Sequence, residues 1–179
     1  MLSSVKLSNE IVSIEPVSLK YLDDFHEYSV DKELYRYLEF GPFKSIDETE
    51  LYLKKLIARS ESDNAQYWFI KLNAEDKVVG SVGLHDLNMQ RGSVEIGYGL
   101  SPAYWGKGIF LSAANLICDY VFNEMKLHRM VARTDVGNLP SIKGLKKLKF
   151  KEEGIMRDYY LFNDGTRHDA VLMARLSTD

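Results

Sequence analysis

The stretch VEIGYGLSPAYWGKGIF (94–110) decides the architecture, because it holds a strand, a glycine turn and the start of a helix in one run. Val94, Ile96, Tyr98 and Leu100 alternate with Glu95, Gly97 and Gly99, so the two sets lie on opposite faces of a strand over 92–100. Tyr104-Trp105-Gly106-Lys107-Gly108-Ile109 then leads into a helix over 108–124, whose stripe is Ile109, Ala113, Leu116, Ile117 and Tyr120. Glycines at such a junction let a ligand approach the backbone. The first-turn N–H groups lack intrahelical partners and have the helix dipole behind them, which makes the junction an anion site. The motif is neither a Walker A loop nor a GxGxxG dinucleotide fingerprint. Gly-Lys-Gly alone is more simply a tight turn with an exposed lysine, so the surroundings must decide.

Working outward, residues 10–16 alternate as a strand, and Ser18 is placed to cap a helix carrying Leu19, Leu22, Phe25 and Tyr28. Ser45 and Glu48 form a capping box opening a helix with Leu51, Leu53, Leu56 and Ile57. Strands are expected at 66–72, 77–87 and 129–136, and Pro140 suits the first turn of a short helix bearing Ile142, Leu145 and Leu148. Residues 150–162 and 168–176 close as a hairpin around Asp164-Gly165. The order β-α-α-β-β-β-α-β-α-β-β gives an α+β fold on a mixed sheet, and 1–179 reads as a single domain.

Composition narrows the function. At 179 residues, 45% hydrophobic and 27% charged, the chain can bury a core, which excludes disorder. A net charge of −3 lacks the positive excess of a nucleic-acid binder. No apolar run approaches the roughly 18 residues of a membrane span, and the N-terminus has no signal-peptide pattern. Cys118 is the one cysteine and has no internal partner, which suits a cytoplasmic setting. No histidine pair has metal-ligand spacing, so no metal is expected.

The 94–110 stretch, the following long helix, HRMVARTDVGNLPSIKGLKKLKF (128–150) and EEG (152–154) together resemble the GNAT superfamily of acetyl-CoA-dependent N-acetyltransferases. The similarity is greatest to the branch containing the acetyltransferases of ribosomal-protein N-termini. It implies a twisted sheet that splays after its fourth strand, with acetyl-CoA as cosubstrate in the split. The family's pyrophosphate signature, Gln/Arg-x-x-Gly-x-Gly/Ala, falls on Trp105, Gly106, Lys107, Gly108, Ile109 and Phe110. Trp105 stands where many relatives have Gln or Arg, and Phe110 where a small residue is usual. Tyr98-Gly99-Leu100 is similar to the segment whose backbone pairs with the pantetheine arm, and Asn138 to the asparagine that binds the cofactor. Lys149 replaces the glycine of the usual KxGF ending.

Acyl transfer to an amine needs a proton acceptor, a polarised thioester carbonyl and a proton for the thiolate. Glu95, mid-strand, occupies the position where many GNAT enzymes carry their base; pairing with a nearby Arg is the alternative reading. His85, in GLHDL, is the second candidate base, on a face that alternation does not assign. The usual tyrosine acid aligns with Leu145, whereas this branch has a serine at Ser141, which can either donate to sulfur or cap the helix. Tyr159 and Tyr160 are further candidates for the acceptor pocket. His128 and His168 are expected to make local hydrogen bonds.

Residues 21–50 hold nine acids against Lys32, Arg36 and Lys44, and 143–151 hold five lysines and no acid. This suits a cationic acceptor on one side and an anionic cofactor on the other, or simply two solvated faces. The sequence thus implies an N-acetyltransferase acting by direct transfer on a protein α-amine or a small amine, as a monomer or homodimer. The alternative is an acyl-CoA-binding module without turnover.

Overall fold

A computed structural model describes residues 5–61 and 64–179. The chain runs β1 (Leu7–Ser8), β2 (Val12–Pro16), α1 (Leu22–Ser29), α2 (Ile46–Ser60), β3 (Gln66–Leu72), β4 (Lys77–Asn88), β5 (Ser93–Leu100), α3 (Ile109–Asp119), β6 (Arg129–Asp135), α4 (Leu139–Lys147), β7 (Lys151–Leu161) and β8 (Arg167–Leu176). The eight strands form one sheet in the order β1-β2-β3-β4-β5-β6-β8-β7. Every pairing is antiparallel except β5–β6, whose parallel arrangement requires the crossover that α3 provides. The mixed sheet agrees with the sequence reading, with the short β1 added at its edge.

Helices cover both faces of the sheet. On one, Ile109, Ala113 and Ile117 of α3 and Ile142 and Leu145 of α4 pack against Trp68, Ile70, Val94 and Ile96. On the other, Phe25 and Tyr28 of α1 and Leu53 and Leu56 of α2 pack against Phe69 and Val78. β3 is buried on both sides, so Trp68, Phe69 and Ile70 are consecutive core residues serving alternate layers.

Local signals hold with adjustments. Ser18 caps a short 3-10 turn, Leu19–Tyr21, before α1, so Tyr21 turns inward and Leu19 is exposed. At α2, Ser45 Oγ accepts from Glu48 N–H at 3.3 Å, but the Glu48 carboxylate accepts from Lys44 N–H at 2.8 Å rather than returning to Ser45. Leu51 lies off the buried stripe, which runs Thr49, Leu53 and Leu56. The long helix is α-helical only to Asp119 and continues as a π turn, Tyr120–Glu124. In the closing hairpin, Gly165 supplies the positive φ of +82° that the turn demands.

β4 and β5 pair from Asn88↔Ser93 to Gly80↔Leu100. A Cβ built on Gly80 would lie 2.6 Å from the Gly99 carbonyl and 3.0 Å from Leu100 Cδ1, so Gly80 sets how closely the end of β5 lies against the sheet. Gly154 on the edge strand has open space around it. Gly80→Ala should therefore cost about 1–3 kcal/mol by overpacking, while Gly154→Ala stays near neutral. Denaturant melts of both variants check this; equal stability would mean that β5 is free to shift.

Candidate active site

The site begins where one ladder stops. β5 and β6 pair only at Ser93↔Arg129, Val94↔Met130 and Glu95↔Val131, whereas β6 continues beside β8 to Asp135↔Ala170. From Ile96 to Leu100, β5 keeps its β4 partner and leaves β6. The divergence opens a split whose edge is main chain from Tyr98 and Leu100, Gly99 between them turning its own amide and carbonyl to β4. Edge amides and carbonyls in this position can pair with an extended, amide-bearing ligand.

The glycine loop stands at the end of that split. Gly106 and Gly108 adopt φ of +73° and +76°, and a Cβ at either would meet nothing within 4 Å. The loop thus has open space over left-handed backbone, which a phosphate can fill. Gly108 is the N-cap of α3 and offers no side-chain cap, so the first-turn N–H groups are presented to a ligand. Trp105 folds back and donates from Nε1 to the Leu100 carbonyl at 2.7 Å, clasping the loop. Lys107 lies over the Tyr104 ring, 5.0 Å from its centroid. Ile109 is buried, leaving its backbone to face the loop. Phe110 does not crowd it: the ring packs on Tyr98, centroids 4.3 Å apart, and beneath α4, where Gly144 has no Cβ to obstruct it.

On that same face, the Tyr98 hydroxyl and Ser141 Oγ are 2.6 Å apart. Burial, only partly offset by the Ser141 hydrogen bond, pushes Tyr98 up to about 12, so its proton stays in place at neutral pH. Asn138, the N-cap of α4, accepts from Ser141 N–H at 3.3 Å. Capping therefore falls to Asn138, and the Ser141 hydroxyl is left to pair with Tyr98. The turn before it rests on Asp135, buried to 2% exposure. One of its oxygens accepts from Gly137 N–H at 2.7 Å, and the other lies 2.7 Å from His168 Nδ1. His168 thus bonds the neighbouring strand through Nδ1 and, locally, the Thr166 hydroxyl through Nε2 at 3.4 Å, while His128 bonds Ser177.

The opposite face of β5 carries Glu95, Gly97 and Gly99. His85 is directly opposite Glu95 across the β4–β5 ladder, which assigns the face that alternation left open. Its Nε2 would lie 3.4 Å from a Cβ at Gly97. A bulge after His85 holds Asp86 at φ +53°, with its carboxylate 3.5 Å from His85 Nδ1. Glu95, 12% exposed, is gripped at both oxygens by Arg133 of β6, the arginine pairing named as the alternative reading of this carboxylate, and Arg133 also donates to the Tyr159 hydroxyl and lies 3.8 Å from Asp86. His85, Asp86 and Glu95 place ligand-type atoms within 4.8 Å of one another, but a guanidinium on Glu95 is the wrong neighbour for a metal ion. Burial, reinforced by Tyr159 and Glu95, raises Tyr160 well above the usual phenol range.

Arg133 and Asp86 escaped the sequence reading. Strand alternation carried a signal for Arg133, since Val131 and Arg133 share the Glu95 face while Met130 and Ala132 are buried. Part of the charge asymmetry is spent on structure. Glu27 pairs with Lys77, Glu33 with Arg36, Glu50 with Lys54, Lys146 with Glu152 and Lys151 with Asp179.

Residues 12–151 match the acetyltransferase (GNAT) domain family. The uncharacterized N-acetyltransferase p20 of Bacillus licheniformis is 31% identical over 153 residues, 86% of each chain. A spermidine N(1)-acetyltransferase of Vibrio cholerae is 27% identical over 138 residues, 77% of this chain and 78% of that one. The solved RimL ribosomal L7/L12 α-N-protein acetyltransferase, in complex with coenzyme A, superposes with a TM-score of 0.87 at 19% identity, covering 98% of this chain and 100% of that chain; at that identity it speaks for the fold. With its split between β5 and β6 and its open glycine cradle, the chain belongs to the GNAT family of N-acetyltransferases, with acetyl-CoA as cosubstrate.

Proposed function

We propose that this enzyme acetylates the primary amine of a cationic acceptor, which approaches over Glu95, His85 and Asp86 while acetyl-CoA occupies the split, the two together in a ternary complex. The observation that carries this reading is the placement of opposed chemistry on the two faces of one strand. Glu95 with His85 lies on one face, and Tyr98 with Ser141 on the other, beside the split. Acetyl-CoA supplies the acetyl group already activated as a thioester. Gly106, Lys107 and Gly108 with the α3 N-terminus hold its pyrophosphate, and Tyr98, Leu100 and Asn138 hold the pantetheine arm. Asp86, with 71% of its side chain exposed, favours a positively charged acceptor.

Glu95 and His85 form the proton-accepting side. The ammonium gives up one proton there and becomes nucleophilic; its nitrogen then bonds the acetyl carbon as the carbon–sulfur bond breaks, and the second proton leaves the nitrogen to solvent. Ser141, with Tyr98 hydrogen-bonded to it, then passes its hydroxyl proton to the sulfur, and solvent water returns a proton to Ser141 once coenzyme A has left, Tyr98 keeping its own. The spermidine acetyltransferase relative supports a polyamine as the first acceptor to try, and the RimL likeness supports including N-terminal peptides in the same panel.

Acetyl-CoA should raise the melting temperature, since a ligand that binds only the native state adds RT ln(1+[L]/Kd). Gly108→Glu, which sets a carboxylate where the phosphates would lie, should abolish that shift in a folded protein. An unchanged shift in the variant would move the phosphate site elsewhere.

Glu95→Gln should lower kcat/KM near pH 7 by roughly 100-fold, the scale of general base catalysis. The deficit should shrink towards pH 9, where more of the acceptor is already neutral, with acetyl-CoA affinity unchanged. Wild-type rates from pH 6 to 9 would reduce Glu95 to an anchor for Arg133 and leave His85 as the base.

A further inference from the structure

β6 ends at Asp135, a residue only 2% exposed. A carboxylate so placed is costly unless its lone pairs find donors, and all three oxygens of Asp135 are engaged. Oδ1 accepts from the Gly137 N–H at 2.7 Å, and the main-chain carbonyl accepts from the Asn138 N–H at 2.9 Å. Oδ2 lies 2.7 Å from His168 Nδ1. A carboxylate can only accept, so the hydrogen of that contact belongs on Nδ1. A Cβ on Gly137 would lie 3.0 Å from Oδ1, so the lack of a side chain there lets the carboxylate close over the turn. Asn138 spends its Oδ1 on the Ser141 N–H, which leaves its amide nitrogen for a ligand. His168 stands on β8, two residues from Ala170, the register partner of Asp135. Its ring rests on Phe162, centroids 4.2 Å apart, and 40% of its side chain is exposed. A line of contacts therefore runs from the closing hairpin through His168 and Asp135 to the turn that presents Asn138.

We infer that Asp135 and His168 are a positioning pair: the Nδ1–H of His168 holds the Asp135 carboxylate over the 136–138 turn, and the turn so fixed sets how tightly Asn138 grips acetyl-CoA. The inference rests on the cofactor role proposed for Asn138. Neither member of the pair supplies an atom to the reaction; both act through the turn. Without the His168 donor, Oδ2 is left buried and unsatisfied. Exposing that oxygen to water is then the cheapest remedy, and it requires the turn to loosen. Asp135 is bonded to two successive amides of the turn, so its movement carries Asn138 with it. The other side of the turn is tied less strongly, by a single bond from the Val136 N–H to the Asp169 carbonyl at 3.1 Å.

Two variants separate the hydrogen bond from the ring. His168→Asn keeps an N–H donor near the place of Nδ1 and loses the contact with Phe162, whereas His168→Phe keeps a ring and loses the donor. The coenzyme A dissociation constant, measured by calorimetry, and amide exchange in 136–141 are compared with those of the wild type. His168→Phe should weaken coenzyme A about tenfold, the scale of one hydrogen bond to a charged group, and should speed exchange in 136–141 while β2 and β3 stay unchanged. His168→Asn should remain near wild type in both measurements. The reverse pattern would make His168 a packing residue and overturn the pair. Equal weakening by both variants would assign the effect to the whole ring, and wild-type behaviour in both would leave nothing for the bond to do; either result overturns the pair as well. Asn138→Ala keeps the underlying reading separate. If it binds coenzyme A as the wild type does, the role proposed for Asn138 fails, while fast exchange in His168→Phe but not in His168→Asn would still uphold the pair as the holder of the turn.

Discussion

The early end of the β5–β6 ladder is the constraint on which the rest of this molecule depends. Two parallel neighbours share three registers and then part, although each remains fully paired on its other side. A gap in the middle of a sheet costs hydrogen bonds that only a ligand or water can return. The fold tolerates it because the divergence is held from both directions. Gly80 lets β4 keep β5 close, and β8 keeps β6 in line to Asp135. Helix α3, the crossover between the separating strands, places its N-terminus at the end of the split. One topological event therefore creates both the slot and the helix N-terminus beside it.

Arg133 and Glu95 stand at the vertex. Glu95 belongs to the last shared register, and Arg133 lies two residues beyond its partner, Val131. Their ion pair spans the point where backbone pairing ceases, with Tyr159 and Asp86 drawn to the same guanidinium. Removing one member of such a half-buried pair leaves the other desolvated and uncompensated, so the pair resists separation. Arg133 is held charged by Glu95 against the cost of its burial. On the proposed function, an acceptor amine would meet a constellation in which Glu95 is already oriented and His85 lies alongside it, a preorganised arrangement rather than one assembled on binding.

Much of this was legible in the sequence because it is local. Alternation in 92–100 set the faces of Glu95 and Tyr98, and the glycine run before a periodic helix marked the open turn at the start of α3. What stayed hidden depends on which strands become neighbours. The face of His85 follows from its register against Glu95, and Asp86 from a bulge in that ladder. Arg133 reaches Glu95 only through a crossover, and Glu39 reaches Leu161 across most of the chain. Periodicity assigns a residue to a face but says nothing of the partner opposite. Leu51 and Leu19 misled for a related reason: an apolar residue at helical spacing is buried only if the sheet extends beneath it. Phe110, a departure within the glycine signature, is explained by Gly144 on a different helix.

Amide hydrogen exchange with and without acetyl-CoA addresses the central claim most directly, since it reads the backbone of the split itself. The account predicts slowed exchange in two separate segments, 97–100 at the end of β5 and 108–112 at the start of α3. Exchange in β2 and β3, remote from the split, should be unchanged. Protection confined to other segments, or absent from 97–100, would contradict a cosubstrate seated between β5 and β6.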